Sequence, residues 1–386
     1  IAEEGAGALV RGEAQSAVLN YTEALKDTSL PNDRRAAILN DRGVANIKLG
    51  QTRQAFEDFN LAAQLFPEFA AVYNNRGNLL LSLGLAKEAI KDFDRSLVLA
   101  PGYAAAYNNR AGALMRLGQT DDAVADYTQS VKLAPLNPAP LSGRGLAHLS
   151  LNRPYAAIRD FSRAVKADAR YSVGYRNMAE AKLAVEKFDE AIEDLSRAIA
   201  FDVNNAESYL LRGKAYLALR STASAIKDFT KAAEFDARHA DAFAERGFAY
   251  SLAGANEEAF LDLNKAIEID PRSGLAFAYR AYAYKQSGQI DIALRDIEVA
   301  QKLSPSAPEA YWVKAEIAEA QGDTAQAIAD LKKAQELKAG YREAKESLQR
   351  LGAAPSQVAE REIAGAGVDT WRVVASGFRG CRFRSR

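Results

Sequence analysis

Two nearly identical stretches, Tyr73-Asn74-Asn75-Arg76-Gly77 and Tyr107-Asn108-Asn109-Arg110-Ala111, lie 34 residues apart, and that spacing governs the chain. Counted from Ala36, the phase runs without insertion or deletion to Tyr341, giving nine units of 34 residues. A period of this length replaces the two or three globular domains that 386 residues would otherwise form, because each unit buries its apolar face against the next.

Each place in the unit has a job that its side chains reveal. The eighth place holds only Gly or Ala, from Gly43 and Gly77 to Ala281 and Ala315, and the twentieth is Ala throughout, from Ala55 to Ala327. Such small residues let two helix backbones approach closely. The twenty-fourth place is large (Phe59, Phe93, Tyr127, Phe161, Leu195, Phe229, Leu263, Ile297, Leu331), so large and small groups alternate as interdigitating helices require. Gly50, Gly84, Gly118, Gly254, Gly288 and Gly322 fall midway, where a left-handed residue ends a first helix. Pro67, Pro101, Pro135, Pro271 and Pro305 fall where a second helix must stop. Each unit therefore reads as a helix-turn-helix, and the fold as all-α.

These residues resemble the tetratricopeptide repeat family, in its bacterial-type multi-repeat form, over Ala36 to Tyr341. The resemblance implies a right-handed superhelical solenoid of antiparallel helix pairs with a concave groove that binds peptides or helices. Asn46, His148 and Lys182 stand where the family favours Tyr, and Ala169, Val203, Ala237 and Ala339 replace the closing Pro. Residues 1–35 repeat the offsets in Gly5, Gly12, Ala17, Tyr21 and Ala24 and read as one degenerate unit. Residues 342–354 read as a polar-faced cap helix, and residues 355–386 as a basic tail outside the repeat.

A charge pattern runs in phase with the packing. The seventh place is Arg42, Arg76, Arg110, Arg144, Arg212, Arg246 and Arg280, with Met178 and Lys314 as exceptions. Sixteen residues later stands Asp in every unit, including Asp58, Asp92, Asp126, Asp160, Asp228, Asp262 and Asp296. A structural ion pair that clips each hairpin, or each hairpin to its neighbour, is the expectation, since the Asp neutralises any arginine stripe.

Composition narrows the function classes. Fifty basic and fifty acidic residues cancel, so no global field steers the chain to nucleic acid or membrane. One cysteine, Cys381, and two histidines, His148 and His239, offer no metal cluster, and no metal or other cofactor is expected. No nucleophile-base set, phosphate-cradling loop or paired-carboxylate cleft stands out, so no enzyme is expected. There is no transmembrane run and no visible targeting segment, and the start at Ile1 reads as processed or trimmed. The expectation is a soluble protein of the cytoplasm or periplasm, with no small-molecule substrate.

The fifth, sixth and ninth places of the first helices should line the groove. They give Asn40, Asp41, Asn74, Asn75, Asn78, Asn108, Asn109, Arg176 and Asn177, an asparagine ladder read as exposed and able to grip a peptide backbone. The pattern is similar to the peptide-gripping asparagines of glycosyltransferase-associated arrays of the family, with Gly143 as an interruption. Farther on the same surface changes to Leu210, Leu211, Phe248, Tyr279, Tyr282 and Trp312, either apolar groove walls for a partner helix or packing between units. The function expected is a protein-protein interaction scaffold holding an extended peptide or helix of a partner. Alternatives are a targeting or regulatory subunit of an enzyme or surface assembly, and nucleic-acid contact through Arg372, Arg379, Arg382, Arg384 and Arg386.

Overall fold

In the computed structural model, residues 1–354 are described, and among them there are 21 α-helices and no strand. The tail arginines lie outside the described residues. The helices alternate as first and second members of pairs: α1 (Ala2–Val10) with α2 (Ala14–Ala24), then α3 (Asn32–Lys48) with α4 (Thr52–Leu65) and α5 (Ala70–Ser82) with α6 (Ala86–Leu99). The series continues through α7 (Ala104–Arg116), α8 (Thr120–Leu133), α9 (Pro138–Ser150), α10 (Pro154–Ala167), α11 (Ser172–Leu183) and α12 (Phe188–Phe201). These twelve helices form one compact unit, Ile1–Phe201. The second unit holds α13 (Ala206–Ala218), α14 (Thr222–Phe235), α15 (Ala240–Leu252), α16 (Asn256–Ile269), α17 (Gly274–Gln286), α18 (Ile290–Leu303), α19 (Pro308–Ala320), α20 (Thr324–Leu337) and the short α21 (Arg342–Arg350). The fold is an all-α solenoid of helix pairs.

The turn inside each pair shows how strongly the repeat imposes its geometry. Gly50 has φ of 72°, and the amides of Gly50 and Gln51 donate back to Ile47 O and Asn46 O at 3.0 and 2.9 Å, closing the first helix in a Schellman turn. Three units lack the glycine. There Asn152, Glu186 and Arg220 take the same left-handed conformation, with φ of 54°, 59° and 59°, although a Cβ makes it unfavourable.

The helix crossing inside each pair is set by one close contact. A Cβ at Gly77 would lie 2.7 Å from the ring of Phe93, and four of the five glycines at the eighth place face a Phe in this way. Where that place is Ala179, Ala281 or Ala315, the facing residue is the narrower Leu195, Ile297 or Leu331. Tyr127 faces Ala111 and solves the problem differently. Its ring turns toward the next first helix, where a Cβ at Gly143 would lie 2.4 Å away.

Candidate functional site

All seven repeated arginines meet the Asp sixteen residues on in a two-pronged pair. In Arg76, Nε donates to Asp92 Oδ2 at 2.7 Å and Nη2 to Oδ1 at 2.6 Å, and the same geometry recurs at Arg42–Asp58, Arg110–Asp126 and Arg144–Asp160. It continues at Arg212–Asp228, Arg246–Asp262 and Arg280–Asp296. The aspartates are buried and the arginines half-buried. Where the seventh place lacks Arg, a lysine takes over: Lys182 Nζ lies 2.6 Å from Asp194 Oδ2, and Lys314 Nζ lies 3.6 Å from Asp330. Asn46 bonds Asp58 at 3.0 Å and His148 lies 3.8 Å from Asp160, so each residue replacing the family Tyr aims at the buried carboxylate of its own unit.

The third nitrogen of the guanidinium reaches the preceding second helix. Arg76 Nη1 donates to Asn60 Oδ1 at 2.8 Å, Arg110 Nη1 to Asp94 at 2.6 Å and Arg280 Nη1 to Asn264 at 2.8 Å. One side chain thus closes a hairpin and docks it on its neighbour. The bonds to Asp126 and Asp94 hold the Arg110 guanidinium pKa well above its ordinary value, and desolvation opposes them.

The two histidines are structural in different ways. His239 Nε2 lies 3.3 Å from Glu207, a contact that raises its pKa. In His148, Nδ1 is buried without a hydrogen-bond partner, and burial lowers its pKa.

The asparagine ladder is a continuous chain of side-chain amides. Asn108 donates to Asn109 at 3.2 Å, Asn109 to Asn74 at 2.9 Å and Asn74 to Asn75 at 3.3 Å. Asn75 donates to Asn40 at 2.8 Å, and Asn40 to the Asp41 carboxylate at 3.1 Å. Five amides on α3, α5 and α7 therefore point the same way and end on a negative charge, whose pKa burial raises. The expectation that the asparagines are exposed is overturned for Asn40, Asn74 and Asn177, which are buried; Asn75, Asn108 and Asn109 are half-buried, and Asn78 is exposed. The reason is the narrow spacing of neighbouring first helices, which brings the fifth place of one within reach of the sixth place of the next. The chain stops at Asn108 because its next donor would be residue 143, and the Tyr127 ring fills the space of a side chain there. One unit later the pattern resumes weakly, with Asn177 Nδ2 at 3.4 Å from Ser142 Oγ and Arg176 at 3.4 Å from Asn177.

In the second unit the inward places form a filled interior. Phe248, Tyr279, Tyr282 and Trp312 are 7–8% exposed, so of the two readings, open groove walls or packing between units, the groove-wall one is overturned and they are packed. Phe248 stacks on Tyr279 with ring centroids 4.2 Å apart, and Tyr282 on Trp312 at 5.3 Å. Leu210 is buried on α13 and Leu211 is half-buried. Tyr341, Ala344 and Leu348 from α21 belong to the same cluster as the four aromatics. Burial drives the Tyr279 hydroxyl well above its ordinary pKa, with Glu245, Tyr341, Glu309 and Glu343 adding to it.

Charged residues at the inward places escaped the sequence reading. Glu245 is buried beside Lys214 at 3.2 Å, and Glu316 accepts from Lys285, Ser347 and Arg350 at 3.3, 3.2 and 2.9 Å. Their signal was present, since Lys214, Glu245 and Glu316 occupy the sixth and ninth places. Among the described residues no group of three or more His, Cys, Asp or Glu could hold a metal ion. No helix among them is long and apolar enough to cross a membrane.

Sequence comparison meets this geometry at the repeat. A model described as "Tetratricopeptide repeat" matches residues 40–104, 108–172 and 280–342; a second so described matches 206–239, and one described as "TPR repeat" matches 183–219. The chain belongs to the tetratricopeptide repeat family. Tetratricopeptide repeats are protein-interaction scaffolds, typically non-catalytic, and protein partners follow for this array. No curated protein matches it significantly. Among solved structures, a tetratricopeptide repeat protein from Parabacteroides merdae ATCC 43184 is 19% identical over 67% of this chain and 98% of its own, with a TM-score of 0.50. The APC/C hetero-tetramer Cut9-Hcn1 contains a chain 14% identical over 90% of this one and 82% of its own, also with a TM-score of 0.50. At these identities the likeness is one of fold.

Proposed function

We propose that this tetratricopeptide repeat array is a non-catalytic scaffold that holds an extended peptide of a partner protein against the first helices α3, α5 and α7. The observation that carries this reading is the one-directional amide chain from Asn108 to Asp41. In each internal bond an amide uses one N–H and one carbonyl lone pair, leaving a second of each. Asn75 and Asn109 are half-buried and already fixed in orientation by their neighbours, so a peptide backbone would bind them without the entropy of ordering two loose side chains. Asn78, exposed on the same face, extends the polar surface by a turn. Main-chain contacts of this kind grip a partner whatever its side chains, and selectivity falls to the surrounding residues.

The test compares proteins captured by the whole chain and by a variant carrying Asn75→Ala and Asn109→Ala. The captured partner should bind the variant roughly 5- to 150-fold more weakly, from two lost contacts at about 0.5–1.5 kcal/mol each. Equal affinity for the same partners would remove the ladder from the binding surface.

A further inference from the structure

The second unit holds a group of polar side chains that its packing leaves unmatched. Successive first helices each bring a member to the inward side: Lys214 from α13, Glu245 from α15, Tyr279 from α17, Glu309 from α19, and Tyr341 with Glu343 at the start of α21. Glu245, Tyr279 and Tyr341 are 6–7% exposed, and Glu309 and Glu343 are half-buried. The rings of Tyr279 and Tyr341 are packed, but their hydroxyls make no hydrogen bond among the described residues. Elsewhere in the unit Tyr282 accepts one from Gln286 at 3.0 Å, and Tyr311 donates one to the Pro305 carbonyl at 3.3 Å. Glu245, Glu309 and Glu343 all act electrostatically on both the Tyr279 and the Tyr341 hydroxyl, so the two phenols meet one set of carboxylates.

Those carboxylates are short of countercharge. Glu245 is met by Lys214 at 3.2 Å, whereas Glu309 and Glu343 form no ion pair among the described residues. Other acids nearby are provided for: Glu316 by Lys285 and Arg350, Glu207 by His239 at 3.3 Å, and Asp241 by its exposure to water. The cations beside Glu343 are directed elsewhere. Arg342 donates to Glu346 and to the Ala218 carbonyl, and the exposed Lys338 holds its Nζ 5.8 Å over the Tyr341 ring. Burial raises the pKa of both Glu245 and Glu343, the mark of negative charge held away from water.

We propose that Glu309, Glu343 and the hydroxyls of Tyr279 and Tyr341 form a binding site for a small molecule carrying a guanidinium group. The packed rings stay where they are, and the ligand meets only the polar rim above them, one functional group deep. Each phenol O–H donates to a carboxylate, and its oxygen lone pairs accept N–H groups from the ligand. A guanidinium fits this rim better than an ammonium does. It is planar, donates to two carboxylates at once, is weakly hydrated and so loses less on leaving water, and rests against aromatic faces. With Glu309 on α19 and Glu343 on α21, the ligand joins two neighbouring first helices by charge where the structure has no ion pair between these residues.

The test titrates the whole chain with methylguanidinium, far below denaturing concentrations, and follows the ring signals of Tyr279 and Tyr341 by NMR. Both signals should shift and saturate in wild type. Methylammonium should bind about tenfold more weakly, and Glu309→Gln and Glu343→Gln, which keep side-chain shape, should each weaken methylguanidinium about tenfold. Absence of a saturable shift in wild type would overturn the proposal, as would wild-type affinity in either Gln variant that keeps wild-type helix content. A measurement on wild type alone stands if neither variant folds: at ten times the dissociation constant, the ligand should slow amide exchange in α21 about tenfold, and unchanged exchange would overturn the bridge. An end-blocked tripeptide with a central Arg is the remaining arm. Binding by the tripeptide without binding by methylguanidinium would make the ligand a side chain of a partner and overturn the choice of a small molecule. None of these outcomes touches α3, α5 and α7, so the ladder reading stands or falls on its own experiment.

Discussion

At the scale of single residues, the strongest constraint is the buried Asp of each unit and the cation that meets it. Removing Arg110 by Arg110→Met leaves Asp126 buried and without its two-pronged partner. Chemical denaturation should show a loss of about 3–5 kcal/mol, where an exposed pair would cost about 0–1 kcal/mol. A gain is available at Glu186, an exposed residue held at φ of 59° by a turn that glycine makes elsewhere. Glu186→Gly should stabilise the protein by about 0.5–1 kcal/mol, read as a raised denaturation midpoint. His148 gives a pH signature of known sign. Its folded pKa is depressed chiefly by burial, so the unfolded chain takes up the proton first as pH falls below about 6.5. Stability present above that pH is lost below it, and His148→Asn should lose less between pH 8 and pH 5 than wild type does. His239 titrates with the opposite sign in both proteins and cancels in the comparison.

At the scale of helices, the contacts of Tyr127 explain an irregularity that looks arbitrary in the sequence. Gly143 interrupts the asparagines because the ring that Ala111 turns away must go somewhere, and it goes over residue 143. Gly143→Asn should therefore cost about 1–3 kcal/mol by overpacking, measured by thermal or urea unfolding. In a Tyr127→Leu background, the pairing that Leu195 and Ala179 already use, the same substitution should cost far less, and the two changes should show strong coupling. The ladder itself also has an energetic role that exposure would not have given it. Asn75→Ala breaks bonds to both Asn40 and Asn74, so it should destabilise by about 0.5–1.5 kcal/mol rather than act as a neutral helix-surface change.

At the scale of the whole molecule, stability is spread over repeated local contacts. The guanidiniums of Arg42, Arg76, Arg110, Arg144, Arg246 and Arg280 each join their own hairpin to the preceding one, so opening spreads between neighbours and starts where neighbours are fewest. Helices α1 and α2, at 9 and 11 residues, and α21, at nine, should show the fastest amide exchange among the described helices, with α5 to α10 slower. Uniform protection from residue 2 to residue 350 would contradict this.

The sequence by itself determined the unit, its two helices, the place of each turn and the pairing of Arg with Asp. Those depend on neighbours within 34 residues, and a strict period repeats the unit nine times and the Arg–Asp pair in seven of them. What only the tertiary structure decided was burial at the inward places. Whether Asn74 or Phe248 faces water depends on how closely successive first helices approach, and that distance comes from packing between units rather than from either residue's type. Asparagines spaced for a peptide became partners of one another, and aromatics spaced for a groove wall were covered by α21, because side chains brought within contact distance satisfy one another before they meet solvent.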